Sequence, residues 1–154
     1  MNHTTIWLSK AQVGKIAMLA FLLMTMLLLA ACSGSGSDSG SDSAAKVFFI
    51  EPQDGATVSS PVQVKMGAEN FTIEPAGEVN EGAGHLHITV DAPCSPVGQV
   101  IPADDQHIHY GKGQTEAELE LAPGEHKLCL QAADGIHTTL EGEGLTQEIT
   151  ITVE

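Results

Sequence analysis

Residues 84–90, Gly84-His85-Leu86-His87-Ile88-Thr89-Val90, alternate histidines with apolar side chains. Successive side chains of a β-strand point to opposite faces, so the pattern predicts a strand with His85 and His87 on one face and the apolar residues on the other. Residues two apart on a strand lie about 6.5 to 7 Å from each other at Cα, which lets two imidazoles reach one cation.

The same spacing returns at Gln106-His107-Ile108-His109-Tyr110. Two His-x-His pairs on strands predict a metal-binding face made of His85, His87, His107 and His109. The alternative is a pair of polar strand faces whose histidines make only ordinary hydrogen bonds. A single metal site further requires that the two strands be neighbours, which the long connection between them leaves open.

The chain around these segments also reads as β-strand. Short alternating runs recur at roughly ten-residue spacing, with proline and glycine turn signals between them. No helical period follows the N-terminal apolar run. The predicted strands cover residues 47–50, 61–67, 69–73, 85–91, 115–121, 125–133 and 145–153. The pattern indicates an all-β fold, an antiparallel immunoglobulin-like β-sandwich of six to eight short strands, and the segment around Pro123 resembles the E–F corner of bacterial immunoglobulin-like domains.

The N-terminal part differs sharply from the rest. Residues 16–31 are an uncharged, mostly apolar run after two lysines, the plan of a secretory signal peptide. Leu29-Ala30-Ala31-Cys32 resembles a bacterial lipobox, in which the cysteine is lipidated. We therefore predict a signal helix within residues 1–31, lipidated Cys32 with a disordered Gly/Ser/Asp linker over residues 32–45, and the folded domain over residues 46–154. An uncleaved anchor helix is the alternative.

The charge of the chain excludes one class of partner. Four lysines and twenty acidic residues follow Cys32, a formal charge of −16, and the chain has no arginine. Such a surface repels nucleic acid and attracts cations, although solubility alone would also account for it. Nucleic-acid binding is therefore excluded.

Cys94 and Cys129 remain once Cys32 is assigned to lipid. Disulfides persist in exported proteins, so the two cysteines are predicted to pair with each other. Thiolate ligation of a metal is the alternative.

Three motifs carry a resemblance to a known family. They are VFFIEPxDGAxVxSPVxVxxG at residues 47–67, Gly-His-x-His at residues 84–87, and IPADDQHxHYGxGQTExxLxLxPGxH at residues 101–126. With these motifs the span 47–154 resembles an uncharacterised family of bacterial exported domains. The resemblance implies the fold of an exported domain and carries no assigned activity.

Further residues near the histidine pairs are possible ligands. Asp104 and Asp105 can bind the ion, orient a ligand histidine, or cap the turn before His107. His126 lies at a turn in phase with core leucines, which favours a structural role. His137 follows an Asp-Gly turn and can reach the same end of the sandwich.

The sequence favours a binding protein over an enzyme. It contains neither a P-loop nor a Gly-x-Ser-x-Gly elbow. Neutral imidazoles suit a divalent ion such as copper(II) or zinc, and Met66 is the only methionine after Cys32, which disfavours a methionine-rich copper(I) site. We expect a lipid-anchored envelope protein that buffers, senses or delivers the metal. It would face the periplasm from the outer membrane where two membranes exist, and lie at the cell surface otherwise. A structural or partner-binding envelope module without metal is the alternative.

Overall fold

The computed structural model describes residues 44–154, which contain nine strands. The strands are β1 (Lys46–Glu51), β2 (Thr57–Val58), β3 (Val62–Glu69), β4 (Thr72–Ile73), β5 (Ala83–Val90), β6 (His107–Tyr110), β7 (Glu116–Leu119), β8 (Gly124–Ala133) and β9 (Thr146–Val153). Within residues 44–154 there is no helix of the length and apolar character needed to cross a membrane.

The strands form two sheets. The smaller has the order β1-β3-β7, and the larger has the order β2-β9-β8-β5-β4. Strand β6 pairs with the same edge of β5 as β4, so the two short strands lie end to end beside β5. Pairing is antiparallel except between β2 and β9 and between β4 and β5, which are parallel.

The two sheets share one apolar core. Alternation along each strand directs every second side chain inward, as in Val62, Val64 and Met66 of β3. The larger sheet contributes Leu86, Ile88, Leu128, Leu130, Ile149, Ile151 and Val153. This two-layer packing is a β-sandwich.

Part of the outer face of the larger sheet, around β5 and the adjoining half of β8, is also buried, next to the loop formed by residues 91–106. The Cys94–Cys129 disulfide ties this loop to β8. Two hydrogen bonds tie it again, since Ser95 N donates to Gln131 Oε1 at 2.7 Å and Gln131 Nε2 donates to Ser95 O at 2.9 Å. Every residue of β5 from Ala83 to Thr89 is consequently buried.

The predicted fold class is confirmed, with two differences. The strands number nine rather than six to eight, because the two-residue strand β2 has no counterpart among the predicted strands. Strands β2 and β4 also make the larger sheet mixed rather than purely antiparallel. The disulfide is present as predicted. The signal helix, lipidated Cys32 and most of the 32–45 linker lie outside the described residues and stay predictions.

Candidate metal centre

Three histidines meet on the outer face of the larger sheet because of strand register. His85 and His87 are two apart on β5, and His109 of β6 lies directly opposite His87. On the other side of β5, His85 and His87 pair with Ala133 and Gln131 of β8. Side chains at positions that are paired or two apart share a face, so the three imidazoles lie side by side.

A loop supplies the fourth histidine. His137 follows β8 in a turn that Asp134 holds, because Asp134 Oδ1 accepts hydrogen bonds from the amides of Ile136 at 3.0 Å and Thr138 at 2.8 Å. His137 has a φ of 73°, in the left-handed region, which costs about 1 to 2 kcal/mol for a residue with a side chain. Its carbonyl accepts a hydrogen bond from Ile101 N at 2.9 Å. The loop contacts thus hold His137 in an unfavourable backbone conformation.

The four rings converge on one point. His85 Nε2 lies 2.9 Å from His87 Nε2, and His109 Nε2 lies 3.1 Å from His137 Nε2. Each of the four histidines offers a ring nitrogen within 4.8 Å of those of the others. A tetrahedral ion with metal–nitrogen bonds of about 2.0 to 2.1 Å holds its ligands roughly 3.3 to 3.4 Å apart. The observed cluster is close to that spacing.

Burial keeps the inner pair neutral. His85 is 0% exposed and His87 is 2% exposed. Loss of solvation, followed by repulsion from the neighbouring imidazoles, lowers the pKa of His85 to about 4 and the pKa of His87 to about 3. Desolvation and His137 lower the pKa of His109 as well. A metal ion therefore meets imidazoles that have little need to lose a proton.

The inner pair also has unsatisfied polar atoms. Nδ1 of His85 and Nδ1 of His87 are buried and make no hydrogen bond within the described residues. The two Nε2 atoms face each other, so only one of them can carry a proton at this point. If neither carries one, their two lone pairs repel each other. A cation at the point of convergence accepts both lone pairs, so the donor set of neutral imidazoles fits a divalent transition metal.

Two glycines permit the close approach of these elements. A Cβ on Gly84 would collide with the Ala133 carbonyl of β8, and a Cβ on Gly111 would collide with the ring of His109. Gly84 therefore keeps β5 against β8 beside His85. Gly111 leaves room for the His109 ring to lie over the chain that follows β6.

A cleft of about 380 Å³ opens beside the cluster. Its lining residues are His87, Ile101, Pro102, Ala103, Asp104, Asp105, His107, His109 and His137. The cleft thus runs from two carboxylates to one of the buried histidines, with His109 exposed and His137 half-buried along the way.

The structure places His137, not His107, with His85, His87 and His109. His107 pairs with Thr89, which lies two residues beyond His87 on β5, so His107 is further from His85 and His87 than His109 is. The His107 ring is held elsewhere, since its Nδ1 lies 2.7 Å from Asp104 Oδ1.

The other possible ligands also lie apart from the cluster. Asp104 Oδ1 accepts hydrogen bonds from the amides of Gln106 at 3.0 Å and His107 at 3.2 Å, so it caps the turn before β6. Asp105 lines the cleft. His126 bonds to Asp91 Oδ2 at 2.7 Å and to the Ala122 carbonyl at 2.8 Å, a structural arrangement.

A second group of potential ligands, Cys94, Cys129 and Glu148, is also compact. Its two sulfur atoms are joined in the disulfide, so neither is available as a thiolate. Among the described residues, the histidine cluster is the group whose donors are free to bind an ion.

Comparison with known proteins identifies the family. Residues 64–154 match the family described as domain of unknown function DUF4399, and the chain belongs to that family. No curated protein matches the chain. An endo-β-1,4-mannanase from Thermotoga petrophila is similar in structure at 18% sequence identity with a TM-score of 0.46, over 75% of this chain and 21% of the mannanase chain.

Proposed function

We propose that the domain binds one divalent transition-metal ion, copper(II) or zinc, and that it buffers, senses or delivers this ion in the cell envelope. The proposed ligands are His85, His87, His109 and His137. The observation that carries the proposal is the convergence of four ring nitrogens, from two strands and one loop, to within 4.8 Å of one another.

The donor set favours these two metals. Imidazole nitrogen suits zinc and copper(II), whereas copper(I) prefers sulfur. Met66 is buried in the apolar core, and Cys94 and Cys129 are joined to each other. None of these sulfur atoms can serve as a ligand beside the histidines.

The ligand number favours binding over catalysis. Catalytic zinc sites usually keep one position for water or substrate beside three protein ligands. Four histidines on one ion occupy all positions of a tetrahedral site. A protein that stores, senses or passes on the ion needs no open position for a reaction.

Further features support an exported location. The lipobox-like Leu29-Ala30-Ala31-Cys32 provides a lipid anchor, and the Gly/Ser linker after it separates the anchor from the domain. The disulfide belongs to an oxidising compartment. We propose a lipoprotein on the periplasmic face of the outer membrane where two membranes exist, and on the cell surface otherwise.

A partner-binding envelope module without metal is the second candidate. Large apolar side chains are exposed on loops near His137, namely Val97, Val100 and Ile136. The loops are joined, because Ile101 N donates to the carbonyl of His137 and Val100 bridges to Thr138. An exposed apolar group of this kind favours contact with another protein.

Titration of the full-length protein with copper(II), zinc and nickel tests the proposal. Isothermal calorimetry should show one ion per chain. The variant H85A/H87A/H109A/H137A should lose this binding. The variant H107A should keep both stoichiometry and affinity, because His107 lies outside the cluster, and H126A controls for histidines elsewhere on the surface.

The outcomes separate the two candidates. Binding by the wild type that is lost in the fourfold variant and kept in H107A supports the metal site and its ligands. Equal weak binding by the wild type and the fourfold variant contradicts the proposal and favours the partner-binding module. Loss of binding in H107A would instead favour the four histidines of the two His-x-His pairs.

A further inference from the structure

We infer that the cleft beside the cluster is the route by which the ion enters and leaves, and that His107, oriented by Asp104, is a transient ligand on that route. This inference rests on the proposed metal-binding function and adds an exchange step to it. It assigns a role to the one member of the two His-x-His pairs that the cluster omits.

The cleft gives solvent access to the cluster. His85 and His87 are buried, while His109 is exposed and His137 is half-buried. Both of the accessible histidines line the cleft, and so does His87. An ion that moves along the cleft therefore passes His109 and His137 before it reaches the buried pair.

His107 is prepared to act as a ligand within the cleft. Its Nδ1 lies 2.7 Å from Asp104 Oδ1, and the ionised carboxylate accepts a hydrogen bond from the Nδ1–H group. That hydrogen bond leaves the lone pair on Nε2, which makes no hydrogen bond within the described residues. A carboxylate that orients a histidine in this way is typical of metal ligands.

The position of His107 suits a transfer to the cluster. His107 and His109 are two apart on β6, so their Cα atoms lie about 6.5 to 7 Å from each other along the strand. Asp104 and Asp105 line the same cleft, and their negative charge raises the local concentration of cations there. Each imidazole that binds displaces one water from the hydrated ion, so the transfer requires no proton or electron.

The protein contains a natural control for this role. His126 is held by Asp91 at 2.7 Å, the same distance as in the His107–Asp104 pair. The side chains of His107 and His126 are 10% and 13% exposed, which makes the two pairs alike in burial. Only the His107 pair lines the cleft beside the cluster.

Stopped-flow kinetics of copper(II) binding to the full-length protein tests the inference. In H107Q the rate of uptake and the rate of release to an excess of chelator should both fall, on the order of tenfold, because the ion loses the ligand that holds it beside the carboxylates of the cleft. The equilibrium affinity and the one-to-one stoichiometry should stay the same. D104N should slow both rates less, and H126Q should leave them unchanged.

Several outcomes overturn the inference. Unchanged rates in both H107Q and D104N would show that the ion does not use His107. Loss of affinity in H107Q would make His107 a permanent ligand, and equal slowing in H126Q would show a general effect of surface histidines. A wild-type protein that binds no copper(II) would instead contradict the proposed function itself, and circular dichroism of each variant excludes misfolding.

Discussion

Strand β5 buries both of its faces, and the two faces have opposite chemistry. Leu86 and Ile88 are 0% exposed in the core between the sheets, and His85 and His87 are 0% and 2% exposed beneath the outer loops. Burial of the apolar face stabilises the fold, since each large apolar side chain contributes about 1.5 to 3 kcal/mol. Burial of the histidine face leaves two ring nitrogens without partners, which is unfavourable.

The two faces of β5 thus contribute differently to the stability of the domain and to its proposed function. The apolar face explains why the domain folds, and nothing in that face requires a ligand. On the histidine face the Nε2 atoms of His85 and His87 lie 2.9 Å apart, and a cation that accepts both lone pairs would remove the repulsion between them. Each face can be altered by substitution without changing the other.

The largest effect is expected on the apolar face. Ile88→Ala should lower the free energy of unfolding by about 2 to 5 kcal/mol, because it leaves a cavity between the sheets. Urea unfolding followed by circular dichroism measures the loss. The metal affinity of the fraction that remains folded should be unchanged, and a loss of affinity in that fraction would show that the two faces are coupled.

The disulfide is expected to come next. Replacing both cysteines, C94S/C129S, should lower the free energy of unfolding by about 3 kcal/mol, because the bond closes a loop of roughly 35 residues. The wild type with added reductant is the matched comparison. Equal stability of the wild type with and without reductant would contradict the prediction.

Replacing His85 and His87 should not lower the free energy of unfolding of the metal-free protein. H85L/H87L introduces apolar side chains of similar volume in place of unsatisfied polar groups, so the metal-free protein should be as stable as the wild type or more so. The variant should, however, lose the stabilisation of about 2.7 kcal/mol that a ligand at one hundred times its Kd provides. Thermal unfolding with and without zinc measures both effects. A strongly destabilised metal-free variant would mean that the histidines serve the fold.

The histidine face also predicts a pH dependence of the metal-free protein, which accumulates with each pH unit. The pKa values of His85 and His87, about 4 and about 3 in the folded state, lie below the unfolded value of about 6.5. The unfolded chain thus binds protons first, and stability should fall as the pH drops from 6.5 towards 4, by at most about 1.4 kcal/mol per pH unit for each histidine. H85L/H87L should flatten this dependence, and an equally steep dependence in that variant would assign it to other groups.

Much of this architecture follows from alternation in the sequence. The patterns around Leu86, Leu128 and Ile149 predicted which side chains enter the core, because strand period alone fixes the face. The disulfide was predicted because two cysteines remain once Cys32 is assigned to the predicted lipobox. Strand β2 was missed, since two residues are too few to show any period, and β4 is shorter than the strand predicted over residues 69–73.

The candidate site was predictable only in part. Strand period places His85 and His87 together, but it does not fix how β6 is aligned with β5. That register puts His109, rather than His107, opposite His87. His137 was a possible ligand on a turn, and its left-handed conformation depends on contacts with Asp134 and Ile101 that no local pattern reveals.

The bond between Cys94 and Cys129 also sets an order of events. It fastens the loop that forms one wall of the cleft, and such bonds form and persist only in oxidising compartments. A newly made chain in a reducing compartment has the histidines but not the fastened wall. If the domain binds a metal as proposed, completion of the site would depend on oxidation, and competition for the ion would begin only once the disulfide had formed.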